Sequence, residues 1–139
     1  MGEISFLIYG DPKGKGRPRV TRYGTYTPEA TKKYEELVRR SWLNSGLEPF
    51  PDDATLYCHI HAHFSIPKSC TKKQRKELEF APHTKKPDCD NVAKAILDAL
   101  NGLAFRDDSA IAKLVVEKTY TDANPYVGVV ISDTPPIAE

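Results

Sequence analysis

Ala54-Thr55-Leu56-Tyr57-Cys58-His59-Ile60-His61-Ala62-His63-Phe64-Ser65-Ile66 alternates without a break, and that alternation decides the fold. Successive side chains of an extended chain point to opposite sides. Ala54, Leu56, Cys58, Ile60, Ala62, Phe64 and Ile66 therefore share one face, and Thr55, Tyr57, His59, His61, His63 and Ser65 share the other. This is a long strand with one buried and one wet face, so its sheet is covered on one side.

Signals on either side of this strand supply the cover. Ile4, Phe6 and Ile8 alternate with Ser5, Leu7 and Tyr9 in a first strand, which Gly10-Asp11-Pro12 ends. Residues 11–27 read as a mobile basic loop, within which 20–27 form a small ribbon turning at Tyr23-Gly24. Thr27, as N-cap, and Pro28, at the first helical position, open a helix in which Tyr34, Leu37, Val38 and Trp42 recur at helical spacing up to Gly46. Residues 69–80 form a short charged surface helix, and 81–87 break regular structure. Val92, Ile96, Ala99, Leu100 and Leu103 set an amphipathic helix over 88–103, closed near Gly102. Residues 110–121 and 126–132 read as a terminal hairpin joined by Asp122-Ala123-Asn124-Pro125, with a short polar tail after it. The order predicts an α+β domain, a mixed sheet with helices packed on one face.

The chain has 139 residues, 40% of them hydrophobic and 28% charged, enough apolar material for one core and a single domain over 1–139. Twenty Lys and Arg against nineteen Asp and Glu leave a net charge of +1, so any electrostatic signal is local. Cys58, Cys70 and Cys89 are odd in number and form no CxxC pair, which argues against a disulfide framework and a thiolate zinc site. No apolar run approaches the roughly 20 residues of a membrane span. Met1-Gly2-Glu3-Ile4-Ser5 has no basic stretch leading into an apolar one, and a cytoplasmic protein is expected.

Two constellations carry chemistry. The first is an acidic motif over 88–108. At about 100° per residue, Asp90, Asn91, Lys94 and Asp98 share a helix sector opposite the apolar one, with Asp88 at the helix start. Eighteen residues past Asp90, Phe105-Arg106-Asp107-Asp108 adds two adjacent carboxylates. Carboxylates at a helix start fit N-capping and the dipole. Converging with a second acidic pair, they also fit a hard divalent cation that retains waters, an open site suited to phosphoryl chemistry. Val92 and the missing glycine exclude an EF-hand loop.

The second constellation is Lys13, Lys15, Arg17, Arg19 and Arg22, five cations in ten residues, interleaved with Gly14, Gly16, Pro18 and Tyr23, with Tyr26 close behind. Arginines bind phosphate bidentately, glycines allow close backbone approach, and tyrosines offer faces to exposed bases. A Walker A loop is excluded because Gly16 stands where Ser or Thr should follow the lysine. His59, His61 and His63 lie about 6.5–7 Å apart along one strand face, a poor chelate for a single ion. His83 reads as a surface-loop residue, and Trp42 and Phe64 as core.

Taken together, Gly16-Arg17-Pro18-Arg19, Tyr26-Thr27-Pro28, the D-x-D-N-x-x-K-x-x-x-D-x-L string from Asp88 to Leu100, and Asp107-Asp108 resemble the RusA family of Holliday-junction resolvases. These are metal-dependent endonucleases often carried by prophages. The motifs span about two-thirds of the chain in the family's order. The resemblance implies a RusA-like fold with Asp88, Asp90 and Asp108 as metal-binding carboxylates and Lys94 as the catalytic lysine. Asp107 and Asn91 are further candidates, and Lys85 and Lys86 join the basic loop in holding DNA. It also implies Mg²⁺, with Mn²⁺ as a substitute, a four-way junction as partner, and a homodimer whose two sites cut opposed strands. Cys89 departs from the apolar residue the family often has there. A catalytically silent, structure-specific DNA-binding phage accessory protein stands as the alternative, and a metal-dependent phosphatase or nuclease on linear nucleic acid as a third.

Overall fold

Two-residue alternation becomes strand and helical recurrence becomes helix along most of the chain. The computed structural model describes residues 2–135, so residue 1, positions 136–139 of the expected tail and the side chain of Arg19 lie outside the described residues. The elements run β1 (Glu3–Tyr9), β2 (Arg19–Thr21), β3 (Gly24–Tyr26), α1 (Glu29–Ser45), β4 (Leu56–Ser65), α2 (Lys72–Leu78), α3 (Cys89–Leu100), β5 (Ile111–Thr121) and β6 (Tyr126–Ser132). A 3₁₀ turn over Asp108–Ala110 precedes β5.

The main sheet is mixed, in the order β1-β6-β4-β5, and β2 and β3 form a separate antiparallel ribbon. The expected terminal hairpin is corrected: β4 lies between β5 and β6, parallel to the first and antiparallel to the second. The link from Asp122 to Pro125 carries no two-residue hairpin turn, and it has only to step over one strand, roughly 10 Å. The central place falls to β4, whose Leu56, Ile60 and Ala62 are fully buried.

That buried face meets the helices. Ile8, Ile60, Val127, Val129 and Ile131 from the sheet, Val38 and Trp42 from α1, and Val92, Ile96 and Leu100 from α3 belong to one core. Phe6 meets Trp42 edge to face, with ring centroids 5.6 Å apart. Pro28 occupies the N-cap of α1, one position earlier than expected, and no side chain caps that end. Gly46, at φ 71°, closes the helix in the left-handed conformation that glycine adopts freely. Thr71 and Gln74 form a reciprocal capping box that starts α2.

Candidate active site

The amino end of α3 follows from its sequence. Val92 and Ile96 are fully buried and anchor the inner side of the helix, which turns Asp90 and Lys94 outward. Asp88 is the N-cap in extended conformation, yet its side chain makes no cap hydrogen bond. Its carboxylate is therefore not consumed by capping. Asp90 accepts the Asn91 N–H at 2.9 Å through Oδ1. Lys94, its side chain 61% exposed, reaches Asp98 Oδ2 at 3.8 Å from the next turn.

The basic loop lies directly on this helix start. The Lys15 N–H donates to the Asn91 carbonyl at 2.8 Å. A Cβ on Gly14 would stand 2.7 Å from Pro87 Cβ and 3.2 Å from Asn91 Cβ, so only glycine permits the approach. The Gly16 N–H donates to Thr31 Oγ1 of α1 at 2.9 Å, which fixes the next loop residue. Lys13, Arg17, Arg22, Lys85 and Lys86 are exposed.

Lys15 differs from these cations. Its Nζ lies 2.6 Å from Glu35 Oε2 and 3.2 Å from Asp98 Oδ2, with only 15% of the side chain exposed. Burial alone would lower its pKa, but the hydrogen bonds and charges of the two carboxylates outweigh burial and raise it. Grouped by sequence with the phosphate contacts, Lys15 is instead the hub of an internal charge cluster.

Asp107 and Asp108 stand at the other end of the domain. His83 and the carbonyls of Lys85 and Pro87, just before α3, bond to Lys118. The Cys89 thiol lies 3.9 Å from the Val116 carbonyl. Asp108 instead precedes Ile111, five strand residues or roughly 16 Å back along β5 from Val116. The chain therefore does not fold back to bring the acidic pairs together, because α3 starts beside Val116 in the middle of β5 and Asp108 follows it only at the turn that enters the start of that strand. Asp107 accepts the Ser109 N–H at 3.1 Å, a hydrogen bond that caps the 3₁₀ turn, and the Ser109 side chain first and this N–H second hold its carboxyl below the usual range. It lines a groove with Asp52, Asp53 and Arg106. Among the described residues, no three His, Cys, Asp or Glu side chains group so as to hold a metal ion. Asp88, Asp90 and Asp108 of one chain thus do not fit a shared cation.

Two residues that position the site escaped the sequence reading. Lys118 donates to the carbonyls of Lys85 and Pro87, each at 2.7 Å, and so braces the segment that leads into Asp88. Its signal was a lysine in the inward register of β5, two residues from Val116 and Tyr120. Glu35 directly follows Tyr34 on the buried stripe of α1, and a carboxylate in that place needs an inward cation.

The histidines are arranged without a metal geometry. His59 Nε2 lies 2.8 Å from Glu117 Oε1, His61 bonds Thr119 at 2.9 Å, and His63 stacks on Tyr126 at 4.2 Å. The surface reading of His83 is corrected: it is 9% exposed and stacks on Phe64 at 3.8 Å, because an isolated bridge between Pro82 and Thr119 draws its loop onto the sheet.

Residues 9–132 match the family described as Endodeoxyribonuclease RusA. The uncharacterized protein YqaN of Bacillus subtilis (strain 168) is 33% identical over 144 residues, which cover 96% of this chain and 98% of that relative. No helix among the described residues is long and apolar enough to cross a membrane.

Proposed function

The chain belongs to the RusA endodeoxyribonuclease family, and from that premise we propose that it is a Mg²⁺-dependent, structure-specific endonuclease that resolves four-way DNA junctions by paired, symmetric nicks. The observation that carries this reading is the docking of the basic loop on α3. The Lys15 N–H to Asn91 carbonyl bond and the bare Gly14 backbone against Pro87 hold a cationic loop beside Asp88, Asp90 and Lys94. A phosphate strand gripped by Lys13, Arg17, Arg19, Arg22, Lys85 and Lys86 passes the carboxylates and the one outward lysine of the helix.

Within that site Lys94 places its ammonium where negative charge develops on the phosphate in the transition state. Asp98 keeps the ammonium on the outer face, and Asn91 ties the helix start to the loop. Asp88 and Asp90 are the carboxylates for a divalent ion, with Mn²⁺ as an alternative to Mg²⁺. When bound, such an ion supplies Lewis-acid polarisation of the phosphate and a water of lowered pKa. Asp108, remote in its own chain, joins this set only from a second copy, which makes the homodimer part of the reading. Asp107 serves the 3₁₀ turn.

The separation of Asp108 from Asp88 and Asp90 also favours a second reading, a silent structure-specific DNA-binding protein of phage origin. Incubating an end-labelled mobile four-way junction and the matching linear duplex with and without Mg²⁺ separates the two. Metal-dependent paired nicks on the junction, abolished in Asp90→Asn with junction binding retained, support the nuclease. Junction binding without nicks at any metal concentration leaves the silent protein, and equal cutting of linear duplex leaves a general nuclease.

A further inference from the structure

The ribbon of β2 and β3 rises from the basic loop with its large side chains uncovered: Val20 is 80% exposed, Tyr23 90% and Tyr26 47%. Arg19 pairs with Tyr26 and Thr21 with Gly24, so Arg22 and Tyr23 form the tip. Thr21 braces that tip. Its Oγ1 accepts the Tyr23 N–H and donates to the Gly24 carbonyl, each at 3.2 Å. Gly24 takes φ 127°, a value side-chain-bearing residues avoid. Arg22 Cζ sits 6.0 Å from the centre of the Tyr23 ring. An aromatic ring and a cation are thus held together at the end of a narrow arm.

A two-stranded ribbon alone is marginal in water, and this one buries nothing of its own tip. Its surroundings point to a polyanion. No acidic residue occurs between Asp11 and Glu29, and the ribbon is rooted where Gly14 and Gly16 lock the loop to α3 and α1. A ribbon of this width fits the major groove of a duplex. Arg22 suits the phosphates, and the flat face of Tyr23 suits a base.

Resting on the nuclease reading, we propose that Tyr23 is the branch-point wedge of the enzyme, stacking on a base that has lost its neighbour where the arms of the junction meet. Inserting a ring into an intact duplex step requires unstacking that costs a few kcal/mol, about what base–aromatic stacking returns. At a branch point the stack is already interrupted, so the same contact is net favourable. Tyr23 then discriminates branched from linear DNA, while Arg22 and the other cations grip both.

The test is binding of the full-length protein, without divalent metal, to an immobile four-way junction and to linear duplex of the same sequence, with 2-aminopurine at the branch. Tyr23→Ala is expected to weaken junction binding about 5- to 150-fold and duplex binding less than about twofold, and to abolish the 2-aminopurine signal. Tyr23→Phe is expected to keep both the affinity and the signal. Unchanged preference in Tyr23→Ala, equal loss on both substrates, or a Tyr23→Phe defect as large as that of alanine each overturns the wedge while leaving the nuclease reading intact. A wild-type protein with no preference for the junction overturns both. Thermal melting verifies that the substitutions at this exposed tip leave the fold unchanged.

Discussion

Lys15 Nζ stands 2.6 Å from Glu35 Oε2 on α1 and 3.2 Å from Asp98 Oδ2 on α3, one ammonium joining two helices. Asp98 also faces Lys94 at 3.8 Å, so the cluster reaches the site itself. Lys15→Met leaves two carboxylates largely out of water without a cation between them. The expected loss is about 1–3 kcal/mol of unfolding free energy, measured by urea denaturation at neutral pH. Lys13→Ala provides the contrast. It should leave stability within about 0.5 kcal/mol and lower the salt dependence of DNA binding by about one phosphate contact. A Lys15→Met protein of wild-type stability with a reduced salt slope would return Lys15 to the phosphate contacts.

Gly14 bears on the site through what it lacks. A methyl group there would meet Pro87 Cβ at 2.7 Å, closer than carbon atoms approach, and neither chain can swing away as a long side chain does. Gly14→Ala should cost about 1–3 kcal/mol and displace the loop from α3. Cleavage should fall further than junction binding, because the exposed cations remain on the chain while their register against Asp88 and Asp90 is lost. Equal falls in binding and cleavage would mean that the loop contributes charge alone.

The alternation from Ala54 to Ile66 and the apolar stripe of α3 were legible because each is a local pattern whose buried face repeats with the element's own period. Strand neighbours were not. The outer edges of β4 look alike in sequence, and only packing decides that β6 enters between β1 and β4. Lys15 and Arg17 are indistinguishable as letters two apart, yet one meets Glu35 and Asp98 across the core and the other meets water. His83 looked like a loop residue because nothing local records that Phe64 offers it a ring. The acidic motif was legible as chemistry, and so was the extent of α3, while the way α3 lies against β5, which separates the two halves of the motif, belongs to the fold.

Burial lowers the pKa of His61, His63 and His83, with the neighbouring His61 adding to the effect on His63 and Lys118 to that on His83. Each therefore takes up a proton less readily folded than unfolded, where the ordinary value is 6.5. Stability should be complete above that value and decline as pH falls below it, since the unfolded chain binds more protons. Urea unfolding at about pH 5 should give a smaller free energy than at about pH 7.5. His83→Phe keeps the stack on Phe64 without a titrating ring and should flatten the difference. An unaltered slope in that variant would assign the effect to other groups.

Asp88 and Asp90 sit near Val116 while Asp108 lies beyond Ile111 at the far end of the same strand, and this makes subunit complementation decisive. If the carboxylate set is completed between two copies, Asp90→Asn and Asp108→Asn are each inactive alone, because every site in either homodimer lacks one oxygen ligand. Co-refolding them yields mixed dimers in which one site draws Asp88 and Asp90 from the Asp108→Asn chain and Asp108 from the Asp90→Asn chain. That site is whole and the other lacks both. The mixture should therefore nick one strand of a four-way junction in Mg²⁺, at up to about a quarter of the wild-type activity, because random pairing makes about half of the dimers mixed and each of these has one whole site of its two. A double Asp90→Asn, Asp108→Asn chain mixed with wild type should instead leave no site whole in the mixed dimer. The absence of nicking in the first mixture, with dimers present by sedimentation, would place all three carboxylates in one chain and require α3 to rearrange on DNA.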